Sequence, residues 1–240
     1  MKDMAERALN QAQLAGATYA DVRVITHRSE VISVKDGKVE AFARRSDEGF
    51  GVRVISGGAW GFASSNQLTA AEAARVAKLA VSIAKASARA KKADVQLSPV
   101  AAVHARYEAP HAKDPLEVSA EDKLALLMAA DANMRRVTGL SVASSSIEAM
   151  VEDKLFASTE GSLIEQRLIT CGGGIEAMAV GDDEVQTRSY PNSFGRQAGT
   201  AGWEFVEGLA LAENAERVAG EAVELLSARQ CPSTVTTSAT

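Results

Sequence analysis

Little of this 240-residue chain is aromatic: Trp, Tyr and Phe make up 5% of it, against 46% hydrophobic residues overall. Its core must therefore be built mainly from Ala, Val, Leu and Ile. Cysteine is as scarce. Cys171 and Cys231 stand far apart, which excludes a disulfide framework and a zinc spacing and fits reduced thiols in the cytoplasm. No apolar run approaches the ~20 residues that span a bilayer. The start, Met1-Lys2-Asp3-Met4-Ala5-Glu6-Arg7, lacks the apolar stretch of a signal peptide. The sequence thus predicts a cytoplasmic location and no membrane contact. Excess positive charge is missing too: 26 Lys and Arg stand against 31 Asp and Glu, for a net charge of −5. A general nucleic-acid grip needs a basic face, so direct nucleic-acid binding is not expected. The local cluster Lys85, Arg89, Lys91 and Lys92 reads as charge complementing a helix C-terminus.

What is there is ordered. Asp3 to Ala15 reads as a helix stopped by Gly16. Alternating apolar residues then predict strands near Ala20–Thr26, Val31–Lys35, Lys38–Arg44, Gly51–Ile55 and Ala59–Ser64, with turns at Lys35–Lys38 and Ser56–Gly58. Trp60 and Phe62 share one face of the last strand, and the reading favours the core for both over a peptide-binding edge with Arg53. Thr69 and Glu72 fit a capping box, opening a helix whose predicted apolar stripe is Val76, Leu79, Ala80, Ile83 and Ala84. Residues 93–118 carry Pro99, Pro110 and Pro115, three of five prolines, and read as a linker. A helix from Ser119, with acidic Asp122 three positions on, then strands near Ser141–Val151, Asp153–Ala157, Leu163–Val180 and Val185–Ser189, and a helix from Val206 to Ala228 whose apolar residues are Leu211, Ala215, Val218, Ala222 and Leu225, follow. Leu163–Val180 is long for one strand, which predicts a bulge or bend at Gly172–Gly174. The expected class is α+β: two helix–meander–helix halves, 1–92 and 119–230, with mostly antiparallel sheet. Residues 231–240 have no apolar period and read as a lead into a further domain.

Longer stretches of wording carry a resemblance. Gly49-Phe50-Gly51-Val52-Arg53-Val54 is followed by Gly58-Ala59-Trp60-Gly61-Phe62-Ala63. Ser158-Thr159-Glu160-Gly161, Gly172-Gly173-Gly174-Ile175, Gln186 to Pro191, and Gly202-Trp203-Glu204 come after them in order. Together they resemble the TldD/PmbA family of metallopeptidases and their partners, historically called modulators of DNA gyrase. The wording is closer to the TldD branch. The family's catalytic signature is H-E-x-x-x-H, in the domain that follows the region seen here. This chain has only His27, His104 and His111, none followed by Glu and none at helical ligand spacing from another. The resemblance therefore implies an N-terminal substrate-channel and assembly domain of a protease, with no cofactor of its own and a divalent metal, zinc by resemblance, in the full-length protein. It implies a peptide or small-protein substrate, and a homodimer or a TldD–PmbA-type heterodimer. The alternative is a non-catalytic, PmbA-like interaction module partnering a TldD-type protease.

Other chemistry is weaker. No catalytic residue is assigned. Gly49-Phe50-Gly51 lacks the later glycine of a dinucleotide fingerprint, and Ser144–Ser146 has no nucleophile elbow. Asp182-Asp183-Glu184 reads as an exposed turn, and His104 and His111 as a solvated loop. Arg188 and Tyr190, in a polar strand running into Pro191, are the candidate contacts to a peptide or partner.

Overall fold

The computed structural model describes residues 1–229; the expected lead segment 231–240 lies outside them. The class is α+β, as the strand and helix pattern predicts. Its strands, however, form one sheet. Helix α1 (Lys2–Leu14) leads into β1 (Tyr19–Lys35), β2 (Lys38–Ser56), β3 (Ala59–Ser65) and α2 (Ala70–Ser87). Then come β4 (His104–Glu108), α3 (Ala120–Met134), β5 (Leu140–Ser158), β6 (Leu163–Val180), β7 (Val185–Tyr190), β8 (Gln197–Gly199), α4 (Trp203–Gly208) and α5 (Leu211–Leu225). The sheet order is β3-β2-β1-β5-β6-β4, with β7 and β8 also on β6. β1 pairs antiparallel with β5 from Asp21↔Ser158 to Lys35↔Ser144, so the N-terminal and C-terminal meanders are continuous.

Several predicted strand pairs are therefore single long strands. Val31–Lys35 continues Ala20–Thr26, and Gly51–Ile55 continues Lys38–Arg44. The polar residues read as breaks, such as His27–Ser29 and Arg45–Glu48, lie mid-strand, between the helix groups that cover the two ends, and Glu30 lies under α3. At about 3.3 Å per residue, the 17-residue β1 is about 56 Å long. The linker reading of 93–118 missed β4, which pairs parallel with β6 from His104↔Leu163 to Glu108↔Arg167. The predicted bulge at Gly172–Gly174 is absent, since the β5–β6 register runs through these glycines unbroken. They are glycines for another reason. The backbone of Gly195 to Ala198 lies across β6, and a Cβ on Gly172 or Gly174 would overlap it.

All the helices with a packed core lie on one face of the sheet. Val22, Val24, Ile32 and Val34 of β1 point to that face and are buried. At one end α1 and α2 pack through Ala5, Ala8, Ala12, Ala73, Val76, Ala77, Ala80 and Ala84. This packing overturns two predictions. Leu79 and Ile83 of α2 are exposed at 42% and 38%, and Phe62 at 56%. Trp60 is only half-buried. The β3 residues under α2 are Ala59, Gly61 and Ala63. A Cβ on Gly61 would stand 2.6 Å from the Ala84 backbone N and would overlap the Ala80 carbonyl. The helix sits so close that only small residues fit beneath it, and the aromatics alternate to the opposite face.

At the other end α3, α4 and α5 cover β5 and β6. The predicted last helix breaks in two, with Ala210 at φ +49° between α4 and α5. Of the expected stripe, Leu211, Ala215, Val218 and Ala222 are buried and Leu225 is half-buried. This end also buries charge. Lys123 is 0% exposed and pairs with Glu30, which is 2% exposed and is also held by Arg44.

Candidate functional site on the helix-free face

Among the described residues, no helix packs on the opposite face of the long strands. Its residues are the odd positions of β1 and their cross-strand partners, and at the N-terminal end they form one connected row. Asp21 stands opposite Arg53 on β2, and Arg23 opposite Phe156 on β5. The Asp21 carboxylate accepts from Arg23 Nη1 at 2.7 Å, from Arg53 Nε at 2.8 Å and from the Tyr19 hydroxyl at 3.0 Å. These three cover it, so it is fully buried although no helix lies above it. Burial, then the Asp21 charge, pushes the Tyr19 hydroxyl pKa up. The Arg53 guanidinium lies 4.7 Å from the Trp60 ring, and that of Arg23 5.2 Å from Phe156. Tyr19 meets Trp60 edge-on at 6.0 Å. The row therefore reads Trp60, Arg53, Asp21, Arg23, Phe156 across four strands. The cations are fixed by a buried carboxylate and sandwiched by aromatics, which holds them in place without hydrating them fully.

Beside this row lies an open trough of about 540 Å³. Gly49 and Gly51 make its floor, and Ile25, His27, Asp47, Phe62 and Asn66 are among its walls. The Phe62 ring occupies the space that a Gly51 side chain would need, 2.8 Å from that Cβ position. A trough with an apolar wall, a glycine floor and fixed cations nearby suits an extended polypeptide, whose main chain lies flat and whose apolar side chains need a recess.

Of the predicted contacts, Arg53, Trp60 and Phe62 come together here, on the face that the core reading denied them. Arg188 and Tyr190 do not join them. Arg188 reaches Glu221 of α5 at 2.8 Å, and Arg217 of α5 lies 5.6 Å from the Tyr190 ring. Asp21, Arg23 and Phe156 were not singled out from sequence. The signal for Asp21 was an acidic residue at the start of an apolar strand, with arginines at positions that pair beside it.

Histidines do not converge. His27 lies on the trough wall, His104 opens β4, and His111 Nδ1 stands 2.9 Å from the Ala109 carbonyl. Among the described residues no group of three or more His, Cys, Asp or Glu side chains stands together to hold a metal ion. The donor set here does not fit a divalent cation.

The Gly202-Trp203-Glu204 motif has a structural task. Glu204 accepts from the N–H groups of Gly202 at 2.9 Å and Lys113 at 3.2 Å. Burial opposes its charge, but backbone donors from Glu204, Ala112, Gly202 and Lys113 outweigh this and hold its pKa at about 2. Asp114 meanwhile takes Arg167 at 2.6 Å. Together these pin the end of the 93–118 segment to the sheet. The basic cluster at 85–92 also serves packing: Lys85 donates to the Ala15 carbonyl at 2.8 Å, and Lys91 to that of Gly57.

A family model described as PmbA/TldA metallopeptidase domain 1 matches residues 20–84, and one for the central domain matches residues 113–230. A metalloprotease of Methanothermobacter thermautotrophicus is 30% identical over 217 residues, which is 90% of this chain and 45% of that protein. A metalloprotease of Methanocaldococcus jannaschii is 27% identical, over 89% of this chain and 46% of its own length. The chain thus spans about half the length of these relatives. Among solved structures, a Thermotoga maritima protein named as a candidate modulator of a DNA gyrase superposes with a TM-score of 0.73 at 15% identity, over 96% of this chain and 50% of that one. TldE from Thermococcus kodakarensis superposes with a TM-score of 0.64 at 13% identity, over 93% and 47%. At these identities the structural matches speak for the fold alone.

Proposed function

This chain belongs to the PmbA/TldD metallopeptidase family, and from that premise we propose that it is the substrate-channel and assembly region of a TldD-type protease. The proteolysis belongs to the longer protein. This region contributes a wall along which an unfolded peptide or small protein is guided. The observation that carries the reading is the helix-free face, with its fixed arginines, aromatics and glycine-floored trough. Main-chain recognition along such a face makes little demand on sequence, which suits a protease of peptides. Residues 1–92 and 119–230 act as two halves of that wall, joined by 93–118. Arg188 and Tyr190, braced by α5, are a second contact at the β7 edge. A divalent metal, zinc by the family's chemistry, is supplied by residues outside this chain. The setting is the cytoplasm, with a homodimer or a TldD–PmbA-type pair as the working assembly.

Hydrogen exchange on the chain, with and without an unfolded polypeptide such as reduced, alkylated lactalbumin, tests the channel role. Protection at residues 23–27 and 47–51 is the expected result. Protection confined to the helices, or none at a saturating concentration, overturns it. A non-catalytic partner of a TldD-type protease would use the same face. The two are separated by whether an H-E-x-x-x-H segment is translated as part of the same protein.

A further inference from the structure

β2 has two unlike edges. From Phe50 to Ser56 it is covered by β3, but from Lys38 to Gly49 only β1 pairs with it among the described residues. Such an edge offers unpaired main-chain N–H and C=O groups to another strand. Its side chains are also unfinished. Phe42 stands opposite Ile32, and Val39 opposite Val34, so the core-facing row runs out to this edge. There Val39 and Phe42 are exposed at 48% and 45%.

The charge order says what fits. Lys38 lies at one end of the edge, Asp47 and Glu48 at the other, and Arg44 and Arg45 near the middle. Reversing the segment and centring it on Ala43 sets Phe42 against Arg44 and Ala41 against Arg45. The β1 register slips by one residue at Glu40. Carrying that slip across sets Val39 against Ser46 and Lys38 against Asp47. Facing residues share a sheet face throughout, and no like charges meet. Centring on Phe42 instead would oppose Lys38 and Arg45, and centring on Arg44 would oppose that residue to its own twin, both unfavourable. Arg44 already lies 5.4 Å from the Phe42 ring, with Glu30 behind it to balance its charge. In the Ala43 register the twin's Asp36-Gly37 turn arrives opposite Glu48 and Gly49, just short of Phe50, from which β3 covers the edge.

We propose that Lys38–Glu48 pairs antiparallel with the same segment of a second copy of this chain, about a twofold axis at Ala43, joining two sheets into one. This deepens the assembly part of the reading above and rests on it. It also explains why a long open edge carries both exposed apolar residues and charges: the charges refuse a generic strand and accept the reversed copy.

The test uses the chain with Cys231→Ser, since the remaining Cys171 is buried. Facing Cβ atoms in antiparallel pairs lie about 4.5–5.5 Å apart, within reach of a disulfide after small adjustment. Mild oxidation of an Ala43→Cys variant should yield a covalent dimer. Ala43→Lys, on the exposed edge, should keep the circular dichroism spectrum and weaken self-association about tenfold or more by sedimentation equilibrium. A dimer that Ala43→Lys leaves intact and Ala43→Cys does not trap would overturn the edge pairing while leaving assembly through another surface standing. A chain that stays monomeric across the concentration series, with no trapped dimer, overturns the pairing as well. Co-purification with a second family member then tests the heterodimer by itself.

Discussion

The two faces of one sheet follow opposite rules. On the helix-covered face, β3 presents Ala59, Gly61 and Ala63, and α2 answers with Ala73, Ala77, Ala80 and Ala84. On the other face the same strand presents Trp60 and Phe62, answered by Arg53 and an open trough. Large residues usually mark a core, and here they stand on the open surface. Close approach of helix and sheet excludes bulk on the covered face. An exposed, contiguous apolar patch with fixed charges is what a binding face retains.

The sharpest break in this contrast should come from the charge buried on the covered face. Lys123→Ala leaves Glu30 without its fully buried partner and should cost about 3–5 kcal/mol. Replacing both residues by Met should recover most of the loss in denaturant melts. If Lys123→Ala is nearly silent, Arg44 alone satisfies Glu30. Gly61→Val comes next. Its side chain meets helix backbone rather than flexible atoms, so overpacking should destabilise by about 3 kcal/mol.

The mirror experiment on the free face is smaller. Trp60→Ala should cost about 1 kcal/mol, mainly its contacts with Tyr19 and Arg53. A loss as large as that for Gly61→Val would mean that the two faces do not differ in kind. Glu204 sharpens the comparison from outside both faces. Its lowered pKa means that the clamp on residues 112–113 is complete above the ordinary value of 4.5 and is lost as pH falls toward about 2. At neutral pH, limited proteolysis should cut 89–103 first and spare 109–116. Glu204→Gln should open 109–116 to cleavage. The smallest effect concerns Cys171, whose thiol burial pushes up to about 12. It should react with iodoacetamide only when the protein unfolds.

Much of this fold was legible in the sequence. Both N-caps form, with Thr69 accepting from the Glu72 N–H and Ser119 from that of Asp122, but the box at Thr69 stays half-closed, since the Glu72 carboxylate takes Arg75 and the Thr69 N–H donates to the Gln67 carbonyl. The α5 stripe from Leu211 to Ala222 was visible because its helix packs at ordinary distance through ordinary periodicity. Strand lengths were not legible. A polar stretch such as His27–Ser29 looks like a break, and only the placement of two helix groups along one sheet explains it. Nor were the faces of β3. Period-two alternation says that Trp60 and Phe62 share a side, but which side is set by how near α2 comes. The glycines at 172 and 174 failed for a related reason. A glycine that makes room for a crossing backbone is indistinguishable in sequence from one that bends its own strand. Asp21 was missed because only Arg23, two residues on, is local to it; Arg53 comes beside it through the β1–β2 register.

The central claim, that the helix-free face receives polypeptide, is tested most directly by Trp60 itself. The chain has two tryptophans, and Trp203 is buried at 4% exposure. In a Trp203→Phe variant with native circular dichroism, emission reports Trp60 alone. The account predicts emission quenchable by acrylamide, shifted to the blue and shielded from the quencher when an unfolded polypeptide without tryptophan, reduced and alkylated ribonuclease A, is added. A Trp60→Phe variant reporting Trp203 should show no such change. Trp60 emission that stays unaltered at saturating polypeptide, or a change seen only at Trp203, would contradict the account.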